Sequence, residues 1–253
     1  MPGSPNMSFH RRAFCVGLLA ALLIPGIGVR AAPQDDNSGV EIHQTGRVLV
    51  FPPRLLMDGV PSGQVRVVLS IDANGKLVDL LIVGYTNPEF ADEVAAVLPT
   101  WTYEPARVHG VAHASGVDVE INFKSELNVL VVNAGFHVWE LVTNDWRRFA
   151  YRAYKLSEID RIPVPVHVVQ PVLPKEYAES GRDRTATVEF FIDEKGNVRV
   201  PTIERDQADS VFAAAMVSAV EQWKFEPPVR HGTPVLVLAS QEFHFRPKSE
   251  TGK

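Results

Sequence analysis

Few side chains in this sequence have the type and spacing that chemistry needs. Asp72 and Asp193 each open an Asp-x-x-Gly block, and a pair of carboxylates could act as general acid and base. Their identical settings at two distant places point instead to side-chain hydrogen bonds inside two turns. His109 and His231 each precede a glycine, and His109-x-x-x-His113 has the spacing of two metal ligands on a helix. Gly110 argues against a helix there, so these histidines are read as turn residues and no metal site is expected. His137, Glu140, Asp145 and Arg147 could form an acid–base group by residue type, but no spacing supports it. The chain has no Gly-x-Ser-x-Gly or Ser-x-x-Lys nucleophile motif, no glycine-rich phosphate loop and no dinucleotide fingerprint. No catalytic residue and no cofactor are therefore assigned, and the chain is not read as an enzyme.

Composition agrees with a folded globular class. The 253 residues are 45% hydrophobic and 22% charged, with a formal net charge of −5, the mix of an ordinary globular protein. No segment concentrates enough Lys and Arg to neutralise a run of phosphates, which argues against a nucleic-acid partner. The one cysteine, Cys15, excludes a disulfide framework and a thiolate zinc site.

The N-terminus has the layout of an export signal. His10, Arg11 and Arg12 precede the apolar stretch Ala13–Val29, and Val29-Arg30-Ala31 offers a small-residue exit. Residues 1–31 are expected to be cleaved, placing the protein in the periplasm. Retention as an inner-membrane anchor is the alternative, and only then would the chain touch a membrane. The apolar stretch is short for a bilayer span and is interrupted by Pro25-Gly26 and Gly28.

The elements that would position any site occur twice. Ile71-Asp72-Ala73-Asn74-Gly75 corresponds to Ile192-Asp193-Glu194-Lys195-Gly196, at an offset of 121. Trp101-Thr102-Tyr103-Glu104-Pro105 corresponds to Trp223-Lys224-Phe225-Glu226-Pro227 at an offset of 122, and so do His109-Gly110 and His231-Gly232. In each copy a period-two apolar run meets the Asp-x-x-Gly turn and a second run follows, which predicts a β-hairpin. Pro201 places the second hairpin's return strand at an edge or a bulge. Phe90, Val94, Val97, Leu98 and Trp101 then share one helical face, as do Phe212, Met216, Ala219, Val220 and Trp223. Both tryptophans are read as core. Asn87-Pro88 is a good helix start. A last alternating strand passes through Val117, Val119, Ile121 and Phe123, or through Ala239, Gln241, Phe243 and Phe245. The fold class is α+β: two tandem ββαβ units, each a three-stranded antiparallel sheet with a helix on one face and a partly polar opposite face. The expected layout is signal 1–31, flexible N-terminus 32–47, unit one 48–124, linker 125–167, unit two 168–246 and tail 247–253. Within the linker, residues 128–142 look ordered without deciding helix or strand. Residues 146–159 read as helical, and the proline-rich 161–174 as extended.

The ordered blocks, present twice, resemble the TonB C-terminal domain family. The resemblance implies a periplasmic binding protein that recognises an extended segment, such as the TonB box of an outer-membrane receptor, by adding it as a strand to the sheet edge. The implied edges are Val117, Val119, Ile121 and Phe123 in unit one, and Val235, Val237, Ala239, Gln241 and Phe243 in unit two. A Tyr-Pro pair near the family's domain start corresponds here to Phe51-Pro52 and Leu173-Pro174. The implied partner is an outer-membrane receptor or another envelope protein. Two alternatives are a structural or homodimerising protein whose edges cover one another, and an anchored energy transducer if the signal is retained.

Overall fold

The computed structural model describes residues 38–125, 127–135, 148–173, 184–203 and 210–245. The expected signal and tail, Pro174, and the group His137, Glu140, Asp145 and Arg147 lie outside the described residues.

Copy one comprises β1 (Glu41–His43), α1 (Pro53–Met57), β2 (Ser62–Ile71), β3 (Leu77–Tyr85), α2 (Pro88–Val97), β4 (Thr102–Glu104), β5 (Ala106–Val108), β6 (Val111–His113) and β7 (Ser115–Lys124). The connecting segment adds β8 (Leu127–Gly135), β9 (Tyr151–Arg152) and β10 (Tyr154–Lys155). Copy two comprises β11 (Pro165–His167), β12 (Arg184–Ile192), β13 (Val198–Ile203), α3 (Ser210–Val220), β14 (Lys224–Phe225), β15 (Val229–Arg230), β16 (Thr233–Pro234) and β17 (Val237–Phe245).

Each copy contains the expected ββαβ core. The turns form for the reasons their residues supply. Asp72 Oδ1 accepts from the backbone N–H groups of Asn74 and Lys76 at 2.8 and 2.9 Å, and Asp193 Oδ1 accepts from Lys195 and Asn197 at 2.9 and 2.8 Å. Gly75 and Gly196 take φ of 81° and 82°, and a Cβ on either would collide with the carbonyl oxygen of Tyr103 or Phe225. His109-Gly110 and His231-Gly232 both have positive φ at both residues, as a two-residue type I′ hairpin turn requires. They close β5–β6 and β15–β16. Pro201 follows Val200, which has φ 44°, beside an irregularity in the β12–β13 register on a strand at the sheet's end.

The helices lie as the apolar stripes predict. Asn87 Oδ1 accepts from the Glu89 N–H at 2.9 Å and Pro88 opens α2. Phe90, Val94, Val97 and Leu98 are fully buried on β2 residues Val65, Val67, Leu69 and Ile71. Each such side chain contributes roughly 1.5–3 kcal/mol of burial. Trp101 and Trp223 are 6% and 8% exposed. Their indole N–H groups donate to the carbonyls of Arg47 and Val169, both at 2.8 Å, so each tryptophan ties down the extended segment that enters its own copy. β1 lies before Val48 and pairs with β4, just as β11 lies before Val168 and pairs with β14.

The helix-free faces depart from expectation. Val68, Leu81 and Val83 of copy one pack against Phe191, Val200, Leu236 and Leu238 of copy two, with Ala153 between them. The two sheets stack back to back, with α2 and α3 outermost. Arg199 forks onto the Asp79 carboxylate across this seam, its Nε at 2.8 Å. The Tyr151 hydroxyl donates to Glu194 at 2.6 Å.

The connecting segment stitches the copies together. Residues 148–159 were expected to be helical; instead they form β9, β10 and a short 3-10 turn, Leu156–Glu158. The reason is tertiary pairing. The Ala153 N–H donates to Val83 of sheet one at 2.8 Å, and the next N–H, of Tyr154, donates to Leu236 of sheet two at 2.9 Å. Two sheet edges satisfy consecutive backbone groups that a helix would have bonded internally. The resulting sheets run β8-β7-β2-β3-β9 and β10-β17-β12-β13.

Candidate peptide-binding edge

β7 and β17 are the closing strands of the two copies, and their outer rims differ. β8 pairs antiparallel along β7, with Asp118 opposite Gly135, Glu120 opposite Val132, Ile121 opposite Val131, Asn122 opposite Leu130 and Lys124 opposite Leu127. The rim expected to be open at Val117, Val119, Ile121 and Phe123 is thus already paired from Asp118 to Lys124, Val117 lying just outside the paired stretch. The side chains of these four residues are buried beneath α2.

Among the described residues the outer rim of β17 carries only β10, parallel and two residues long, at Val237 and Leu238. From Ala239 to Phe245 the outer side of β17 has no partner strand among the described residues. Of the residues singled out from sequence, Val235 precedes the strand and donates its N–H to Pro228. Val237 is buried and paired. Ala239, Gln241 and Phe243 lie on the open stretch. Phe243 packs on Trp223, ring centroids 5.8 Å apart.

Phe51 is half-buried against the copy-one core, edge-on to Phe90 at 5.1 Å and to Phe123 at 6.5 Å. Pro52 lines a shallow groove with Val50, Pro53, Glu89, Asp92 and Glu93. Leu173 packs against the copy-two core.

Several charged groups went unnoticed in the sequence. Asp118 is 5% exposed, and among the described residues neither of its carboxylate oxygens has a hydrogen-bond partner. Burial, reinforced by the Glu189 charge across the seam, pushes its pKa up to about 7. Arg66 is also buried, its Nε 3.0 Å from Glu120 Oε2 and its guanidinium over the Phe149 ring. Glu41, His43 and Glu104 bring three donor atoms within 4.8 Å of one another on the β1–β4 ribbon, two of the three being exposed. His43 there is engaged by Glu104 at 3.0 Å.

The model of the family described as Gram-negative bacterial TonB protein C-terminal matches residues 49–125 and again residues 169–247. The chain belongs to the TonB C-terminal family. The two matches fall on the two structural copies, so the duplication is one of whole family domains. The solution NMR structure of Pseudomonas aeruginosa TonB CTD is similar at 25% sequence identity, covering 38% of this chain and 95% of that one, with a TM-score of 0.31. No curated relative matches the chain.

Proposed function

We propose that this TonB-type protein captures an extended peptide segment of an outer-membrane receptor, or of another envelope protein, by strand addition at Ala239–Phe245. The observation that carries this reading is the asymmetry of the two closing strands. β17 leaves seven residues of rim without a partner strand among the described residues, whereas β7 is sealed by β8. An open rim presents unpaired N–H and C=O groups that an extended backbone satisfies. β10 caps one end of the open stretch and limits how far an added strand can slide. Copy one then serves as the platform on which copy two is held, and each chain takes one peptide. Export to the periplasm by residues 1–31 belongs to the same reading. Among the described residues no helix is long and apolar enough to cross a membrane.

The test is NMR titration of the full chain with a receptor plug peptide containing a TonB box. Shifts confined to the amides of 239–245 and a 1:1 stoichiometry are expected. Shifts elsewhere with these amides unmoved would overturn the reading.

A further inference from the structure

The duplication shows what kind of strand this rim accepts, if the rim is the binding site proposed above. An offset of 122 places residues 118–123 of β7 on 240–245, so β8 covers in copy one the positions that have no partner strand in copy two among the described residues. β8 is Leu127-Asn128-Val129-Leu130-Val131-Val132-Asn133-Ala134-Gly135, with no charge and no proline, and it runs antiparallel. On the helix side the two rims are alike: Ile121 and Phe123 pack under α2, and Phe243 and Phe245 pack with the α3 core.

On the other face several residues differ, Ser240, His244 and Glu189 standing where copy one has Asp118, Asn122 and Val68, and the difference that bears on the shared glutamate lies across from it. In copy one Arg66 stands directly across from Glu120, and the two form an ion pair at 3.0 Å. In copy two the same register sets Thr187 across from Glu242. The arginine position has become threonine while the glutamate is kept. Glu242 is 56% exposed, and among the described residues its ionic contact is His244 at 3.4 Å. Ser240, its neighbour on this face, stands opposite the buried Glu189. Among the described residues, Glu242 on this face of the rim thus stands across from a threonine where Glu120 stands across from an arginine.

We propose that the partner strand is an aliphatic extended peptide, antiparallel to β17, that carries an arginine or lysine opposite Glu242 and so supplies the cation that Arg66 supplies in copy one. Residues directly opposite each other on paired strands point to the same face, so that position corresponds to Val132 in β8.

Three synthetic nonapeptides test this against the full chain: the β8 sequence itself, and two versions with arginine or glutamate in sixth place. Dissociation constants and the amide shifts of Ala239–Phe245 are the readouts. The arginine peptide is expected to bind about two- to fivefold tighter than the unmodified one, the range of a solvent-exposed ion pair. The glutamate peptide is expected to be weakest. High salt and Glu242→Gln should both close the gap. Equal affinities for peptides that all shift these amides would overturn the charge assignment and leave strand addition standing. No shift with any of the three would overturn strand addition here as well.

Discussion

Asp118 shows how a single residue can set the pH response of the molecule. Its ordinary pKa of about 3.9 in the unfolded chain rises to about 7 in the fold, because burial and then the Glu189 charge disfavour its anion. Between these values the folded chain keeps a proton that the unfolded chain has lost. Stability therefore falls as pH rises from about 4 to about 7, by at most ~4 kcal/mol for this gap. Glu158, Asp72 and Asp160 have the opposite sign: hydrogen bonds hold their carboxyls below the usual range. Their contribution is present at neutral pH and is lost on acidification below about pH 4. Denaturant midpoints are expected to be higher at pH 5 than at pH 8, and Asp118→Asn should remove most of that difference. An unchanged slope in the variant would assign the effect to other groups. Strand alternation alone places Asp118 on a solvent face. The runs that interrupt the alternation, Val67-Val68-Leu69, Leu80-Leu81-Ile82-Val83, Phe190-Phe191-Ile192 and Val235-Leu236-Val237-Leu238, are the signal that this face is buried.

At the scale of elements, the ββαβ units were legible because period two and period 3.6 are local signals, and each occurs twice. The turns were legible too, since Asp-x-x-Gly and His-Gly carry their own chemistry. Gly196→Ala should cost about 2 kcal/mol or more in thermal or chemical melts: the backbone has positive φ there and the new Cβ meets the Phe225 carbonyl. The role of the connecting segment was not legible. Residues 128–135 are apolar in a way that suits helix or strand equally, and β7 decides the matter by offering a rim. Likewise Arg152 and Tyr154 fit a helical pattern until two sheets compete for their neighbours' backbone. Amide exchange can check the assigned pairings. The amides of Asp118–Lys124, enclosed between β2 and β8, should exchange more slowly than those of Ala239–Phe245, which among the described residues have a strand on one side only. Equal protection of the two strands would mean that the β17 rim is covered.

For the whole molecule, the question is whether two duplicated domains behave as two folding units or as one. Tandem domains joined by a linker would unfold independently, and sequence alone favours that picture because the linker looked like a separate segment. The seam argues otherwise. Val68, Leu81, Val83, Phe191, Val200, Leu236 and Leu238 form one buried cluster drawn from both copies, and Ala153 of the connecting segment is enclosed within it. Neither sheet can leave without exposing the apolar face of the other. Asp79 and Arg199 add a hydrogen-bonded ion pair across the same boundary. Truncating a large aromatic in such a cluster costs about 3–5 kcal/mol. Phe191 lies on β12, yet its neighbours across the seam belong to β2 and β3. Phe191→Ala should therefore lower the exchange-derived stability of the slowest amides in β2 as much as in β12. A bead-like arrangement would confine the loss to copy two and would split the denaturation curve into two steps. A single transition that moves as a whole would show that the duplicated domain has become half of a larger fold, with copy one buttressing the sheet whose rim is left open.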